Sequence, residues 1–481
     1  MGKFRSAKTL LAGALLSGLS ACASNLGRPL SAALDRSQAA CLAAFDAADR
    51  RVARAGVGDA DSARVAGFPY LRVDRLLASF AAHPLDPQQR SAWLARLAAL
   101  DADGRRVEMA ALGAPTVALD ECRRQLVASL ATNDSAWAAL LRAATVPDDY
   151  RPLQRVLGLY PLAAPLARRG IARLQNTEQP QPRVEIPPNG RVYAAPASPL
   201  EPLDLTPALA NARLDPLGFP ALAAPVLAAL FAQHAPVWVV ASASADDVIG
   251  TIVRSTADTP VVAAPPSVYQ YTSYTRFEAR VLLQLNYVVW FPARPAVGML
   301  DTLAGKFDGL IWRVTLDTDG APLAFDTLHN CGCYHLWFPT ARLRLRAVDP
   351  ADGEALWVPF SLVPAPRIGV QLAAGTHFVR GVGPAPAHPA IPLQVRDYTA
   401  LRALPAPSGQ PRSLFAPDGL LPGSQRAERY LLWPLGVPSA GAMRQRGHHA
   451  TAFVGIRHFD EAYLLARYFT RAAPLQGPAA R

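Results

Sequence analysis

The sequence predicts an α+β protein, with an all-helical N-terminal domain followed by a β-rich, largely antiparallel C-terminal domain. Three observations predict it. Apolar residues recur at helical spacing from about residue 28 to 176. A proline-rich stretch over 177–222 interrupts that pattern. From 223 onward, β-branched and aromatic runs alternate with Asp-Gly turn signals. With 481 residues, 51% of them hydrophobic, the chain has room for two or three domains of ~150 residues each. This composition excludes a wholly disordered or collagen-like chain. The net charge of +11 is carried almost entirely by arginine, since only Lys3, Lys8 and Lys306 are lysines. The charge is spread along the chain without a dense basic cluster, so a nucleic-acid partner is not expected.

Residues 1–21 form a targeting segment. Lys3, Arg5 and Lys8 precede an apolar run from Leu10 to Leu19, too short to span a bilayer. The run ends in Leu19-Ser20-Ala21-Cys22, which resembles the lipobox of bacterial lipoproteins. The resemblance implies cleavage before Cys22, diacylation of its thiol and acylation of the new N-terminus. Ala23 and Ser24 follow with no aspartate, which in that family implies the outer membrane of a Gram-negative cell. The body would then sit in the periplasm or at the cell surface, with the membrane as partner through its lipid anchor.

Residues 22–176 read as the helical domain. Val73, Leu76, Leu77 and Phe80 fall at i, i+3, i+4 and i+7, as do Trp137, Leu140, Leu141 and Ala144 after the capping residues Asp134 and Ser135. Cys41 shares a helical face with Phe45 and Val52, and Cys122 with Leu119, Leu126 and Leu130. In an oxidising compartment, these thiols on two packed helices predict a Cys41–Cys122 disulfide, with two free core thiols as the alternative. Residues 177–222, with Pro180, Pro182, Pro187 and Pro188 among others, read as a linker or surface strap.

Residues 223–481 read as the β-rich domain. After a short helix near 223–233, Val281–Phe291 has the composition of a central strand. Ile311–Leu316 and Leu323–Leu328 flank the turn signal Asp319-Gly320. Arg342, Arg344 and Arg346 alternate with apolar residues, as on a half-buried strand. Ala355–Phe360 and Ala450–Ile456 read as later strands, and Phe459–Phe469 as a closing amphipathic helix.

The chemistry-bearing residues concentrate late in the chain. Seven of nine histidines lie at or beyond residue 329, and the densest run is His329-Asn330-Cys331-Gly332-Cys333-Tyr334-His335. Two imidazoles and two thiols are the donor set of zinc or another soft divalent metal. On an ideal strand the run would span ~20 Å, so convergence needs a bend, which Gly332 allows. His448 and His449, after Gly447, could complete a metal site. Three readings stand side by side. The first is a structural staple made by Cys331–Cys333 or by a bridge between domains. The second is a metal site drawn from His329, Cys331, Cys333, His335, His448 and His449. The third is a thiol catalyst, with Cys331 or Cys333 as nucleophile, His335 or His329 as base and Asp326 as orienter. No G-x-S-x-G, Walker loop or H-E-x-x-H occurs. Asp317-Thr318-Asp319-Gly320 lacks the later ligands of a calcium loop. Tyr269, Tyr271 and Tyr274, with Trp290, Trp312 and Trp337, suit either a core or a sugar- or peptide-binding cleft.

The HNCGCYH run and RQRGHHATAFVGIRHFD (444–460) resemble signatures of a family of proteobacterial lipoproteins of uncharacterised function. That resemblance implies location and no substrate. The expected function is a lipid-anchored outer-membrane protein that binds or organises an envelope protein, peptidoglycan or another glycan. The alternative is a metal- or thiol-dependent envelope enzyme, a hydrolase or redox protein, working at residues 329–335.

Overall fold

The computed structural model describes residues 35–131, 133–196, 205–299, 301–347 and 353–472. Cys22 and the targeting segment lie outside these residues. The chain opens with α1 (Arg36–Ala55), where Asp35 and Gln38 cap each other's backbone and Gly56, at φ 64°, ends the helix. Next come β1 (Ala63–Val65), β2 (Phe68–Val73), α2 (Arg75–Ala78), α3 (Pro87–Ala111), α4 (Val117–Ala131) and α5 (Asp134–Ala143). Phe45, Trp93, Leu97, Leu126 and Trp137 fill the core among them. The Cys41–Cys122 disulfide ties α1 to α4 across 81 residues of sequence.

The N-terminal half is not all-helical. β1 and β2 pair antiparallel around Gly67, whose φ is 80°, and the helix expected over Val73–Phe80 shrinks to the four residues of α2. The cause is local. Phe68-Pro69-Tyr70-Leu71-Arg72-Val73 is aromatic and branched, and Pro69 has no N–H to give a helix. Burial on both sides of β2 holds Arg72 inside, 2.7 Å from Glu108 and 3.6 Å from Asp101. Helices also recur in the second half, at Ala224–His234, Glu428–Leu431 and Leu464–Tyr468. The fold is therefore mixed throughout, with its main sheets in the C-terminal half.

Beyond α6 (Pro152–Leu157) and α7 (Tyr160–Thr177) come β3 (Gly190–Ala194), β4 (Val237–Ala241), β5 (Ser267–Phe277), β6 (Arg280–Arg294), β7 (Gly305–Leu316), β8 (Pro322–His329) and β9 (Leu336–Pro339). β10 (Ile368–Leu372), β11 (Val379–Pro384), β12 (Ile391–Pro392) and β13 (Gln394–Asp397) follow. Six strands form one sheet in the order β9-β8-β7-β6-β5-β13, antiparallel except for β13 beside β5. Five form a second, β11-β10-β4-β3-β12. The proline-rich stretch thus supplies an interior strand, β3, as well as connecting chain.

Alternate residues of β6 explain its unbroken apolar run. Leu285, Tyr287, Val289 and Phe291 pack with Trp238, Val240, Val370 and Leu372 of the second sheet. Val288 and Trp290 pack on the other face with Leu401, Met443 and Phe459. A sheet covered on both faces needs no polar alternation. The Asp319-Gly320 hairpin forms as expected, with Gly320 at φ 83°.

Two late elements differ from expectation. Ala450–Ile456 contributes only an isolated bridge, Ala450 to His458, because Arg457 folds back to donate to the Thr451 carbonyl at 2.9 Å. The closing helix is Leu464–Tyr468, and Phe469–Arg471 leaves it as a strand against Leu343–Leu345. Ion pairs join the two halves. Buried Arg402 meets Asp59 at 2.6 Å, half-buried Arg446 meets Asp61 at 2.6 Å, and Arg75, which also pairs with Asp149 at 2.7 Å within its own half, meets Asp460 at 3.2 Å. Among the described residues, no helix is long and apolar enough to cross a membrane.

Candidate functional site: a paired thiol at a cavity

Residues 330–335 join β8 to β9 as a tight turn. Gly332 N–H donates to the His329 carbonyl at 2.8 Å, and His329 N–H donates to the Cys333 carbonyl at 3.1 Å. Gly332 sits at φ 94° and Tyr334 at φ 58°. A Cβ on Gly332 would lie 2.8 Å from the Ala450 carbonyl oxygen, so glycine is required for both torsion and space. Arg444 holds the turn from outside: its backbone N–H donates to the Asn330 carbonyl at 2.8 Å and its Nε to the Cys331 carbonyl at 3.1 Å.

The turn brings together the two thiols singled out in the sequence. Cys331 and Cys333 are free and hydrogen-bonded to each other through sulfur. The shared bond makes them unlike. It draws the Cys331 thiol below its ordinary range, with the Arg426 guanidinium assisting and burial opposing. The same bond and burial push Cys333 well up. The two thiols are therefore unequal, Cys331 the more acidic and Cys333 the less. Cys331 is buried, whereas Cys333 is half-buried and opens into a cavity of about 270 Å³. Glu354, Glu428 and Thr451 line the same cavity, with Ile171 and Leu174 of α7 forming one wall. Burial raises both glutamates above the usual carboxylate range.

The histidines do not converge on the thiols. His335 and Asp326 do pair as expected, Nε2 to Oδ2 at 2.8 Å. Arg313 takes the same carboxylate bidentately at 2.9 and 2.7 Å. Burial pushes His335 down to about 4, so it is neutral and donates to Asp326. It lines the same cavity as Cys333, but no hydrogen bond joins it to Cys331 or Cys333, and its ring packs against Trp337 and Phe459. His329 lies 3.6 Å from Asp308, which also takes His377 Nδ1 at 2.9 Å and Arg426 at 3.4 Å. His448 bridges Asp149 and the Ala60 carbonyl at 2.9 and 2.8 Å. Burial pushes the neighbouring His449 down to about 3. His329, His335 and His448 thus each have their own carboxylate partner. Among the described residues, no group of three or more His, Cys, Asp or Glu is arranged to hold a metal ion.

A second cavity, of about 370 Å³, lies where the N-terminal half meets β5. It contains Tyr271 and Tyr274 from the aromatic set read in the sequence, with Asp74, Arg446 and Asp460. Tyr269, Trp290, Trp312 and Trp337 are core residues instead. Burial pushes Asp74 up to about 6, although its carboxylate caps Leu77. The arginines here are largely committed to protein carboxylates: Arg446 to Asp61, Arg96 to Asp215 and Arg313 to Asp326.

Sequence reasoning missed Arg426, Glu428 and Asp308. None belongs to a local motif, and only the fold carries the Glu428–Leu431 turn to the thiols. No known protein family, curated protein or solved structure matches the chain.

Proposed function

We propose that this chain is a thiol–disulfide exchange protein of the cell envelope, held at the outer membrane through a lipidated Cys22. One observation carries the reading: Cys331 and Cys333 are hydrogen-bonded free thiols of opposite character, with only Cys333 facing a cavity. The partner is a disulfide R–S–S–R′ of a peptide, a protein or a small thiol. Cys333 gives its proton to the Cys331 thiolate as its sulfur attacks, forming Cys333–S–S–R and expelling R′–S⁻. The Cys331 proton then passes to R′–S⁻, and Cys331 attacks the Cys333 sulfur and releases R–S⁻. The products are a Cys331–Cys333 disulfide, one thiol and one thiolate, so two electrons pass to the partner. A disulfide closed across one residue is strained and returns these electrons readily, which suits transfer in either direction.

The test uses the full chain in glutathione buffers of graded potential, with free thiols counted by alkylation and mass. The expected result is reversible loss of two thiols as one two-electron step, with Cys41–Cys122 unchanged. Cys331→Ser should trap glutathione on Cys333, and Cys333→Ser should abolish exchange. Two persistent thiols in excess oxidised glutathione would overturn the proposal.

A second reading, a non-catalytic binding protein for an envelope glycan or peptide, is favoured by the Tyr271 and Tyr274 cleft. Calorimetric titration of peptidoglycan fragments against the wild type and Tyr271→Ala tests it. Equal heats from both would remove it.

A further inference from the structure

α6, α7 and the Gly158-Leu159 link between them present an apolar face with nothing packed on it. Leu153, Val156, Leu157, Leu159, Leu162 and Leu166 are each 61–70% exposed. Single exposed apolar residues are ordinary, but five leucines and a valine between residues 153 and 166 form a patch that needs an occupant. Leu159 adds to the case. It adopts φ 51° at the tip of the hairpin, a left-handed conformation that a leucine resists, and its side chain gains no burial there. The patch continues onto the next element. Gly158 approaches Pro434 so closely that a Cβ would meet Pro434 Cα at 2.4 Å. The adjoining turn exposes Tyr430, Leu431 and Trp433.

Charge identifies the occupant. From Tyr150 to Thr177 the chain has five arginines (Arg151, Arg155, Arg168, Arg169 and Arg173) and no aspartate or glutamate. Arg151, Arg169 and Arg173 are exposed. Leucines flanked by arginine, with tyrosine and tryptophan at the margin, match the chemistry of an anionic lipid surface: acyl chains below, phosphates at the level of the guanidinium groups. A second copy of the chain fits poorly, because a two-fold contact would set these arginines against each other.

We propose that α6 and α7 form an interfacial membrane-docking surface, separate from any lipid on Cys22. Docked this way, the body lies with its α6–α7 side on the bilayer. The inner side of α7, through Ile171 and Leu174, also walls the Cys333 cavity, so the thiols would work close to the membrane.

The experiment uses the chain without residues 1–22, so that neither signal nor lipid contributes. The described core clusters all fall within residues 41–469, so this chain keeps every one of them. Co-sedimentation is measured with vesicles of phosphatidylglycerol and phosphatidylethanolamine, and with phosphatidylcholine alone. Binding is expected only to the anionic vesicles, weakening with salt. Leu157→Glu/Leu162→Glu/Leu166→Glu should reduce it at least tenfold, and Arg169→Gln/Arg173→Gln several-fold, with no change in melting temperature because these side chains touch little protein. No binding by the wild type, or binding that both variants retain, would overturn the proposal. So would self-association that the leucine variant abolishes, which would make the patch a dimer interface. No disulfide substrate is present in the assay, so its outcome is independent of the exchange reaction.

Discussion

Replacing Gly332 by alanine perturbs the site with a single methyl group. At φ 94° an L-residue carries a torsional penalty of about 1–2 kcal/mol. The new Cβ would also lie 2.8 Å from the Ala450 carbonyl oxygen, with Ala450 C and N at 3.6 Å. These are backbone atoms and cannot swing aside like a flexible side chain, so overpacking adds about 1–3 kcal/mol. The expected loss is about 2–5 kcal/mol in all, read by urea unfolding with tryptophan fluorescence. Because the turn sets the sulfur contact, the alkylation rates of Cys331 and Cys333 should also converge. Gly170→Ala is the matched control. It lies inside α7, where a Cβ meets nothing within 4 Å, so alanine should stabilise by about 0.5–1 kcal/mol. If Gly332→Ala unfolds within about 0.5 kcal/mol of the wild type with thiol reactivity unchanged, the turn does not hold the thiols as argued.

Two further outcomes follow from buried charge. Asp326→Asn leaves Arg313, 2% exposed, without its carboxylate and should cost about 3–5 kcal/mol by urea unfolding, much of it recovered in Arg313→Met/Asp326→Leu; an equal loss in the double variant would show that the charge pairing is not the cause. The His448–Asp149 pair should give stability a pH window. Asp149 raises the His448 value above its usual 6.5 against the effect of burial, so that contribution is full below pH ~6.5 and fades as pH rises through the folded value. Asp149, against burial, is lowered to about 2 by His448 and Arg75; its contribution is full above pH ~4 and fades as pH falls towards 2. Stability measured against pH should therefore show a maximum between ~pH 4 and 6.5 from this pair, and His448→Gln should flatten it.

The sequence was most legible where one local rule decided the structure. Val281–Phe291 had no other use for so many branched and aromatic residues than a buried strand, and Asp319-Gly320 supplied the turn its neighbours needed. Cys41 and Cys122 each lay on an apolar helical stripe, and two such stripes in one core meet. Legibility failed where distant chain outweighed local pattern. Val73, Leu76, Leu77 and Phe80 keep helical spacing, yet β2 claims Val73 because Arg72 must reach Glu108 and Asp101. Ala450–Ile456 has a strand's composition, but Arg457 and Glu354 take its polar groups. In the site, Asp326 and His335 were readable as candidates from their residue types near the thiols, although register sets Asp326 opposite Trp337. The partners of the thiols were not, because Arg426 and Glu428 lie some 95 residues downstream in a segment with no periodicity.

Residues 444–460 look like a signature because one short segment bridges several elements. Arg444 donates to the Asn330 and Cys331 carbonyls, Gln445 and Arg446 reach Asp59 and Asp61, and His448 reaches Asp149. The Phe459 carbonyl accepts from Arg313 at 2.8 Å, and Asp460 meets Arg75. One stretch of chain thus grips the thiol turn, the Arg313–Asp326–His335 cluster and the N-terminal half together. Each contact is polar and mostly buried, so losing any partner leaves an unsatisfied group rather than a water-filled gap. This bridging accounts for the density of arginine and histidine in the segment, because these side chains reach carbonyls and carboxylates on three separate elements, as an apolar segment could not. Through Arg444, residues 444–460 also hold the turn that carries Cys331 and Cys333.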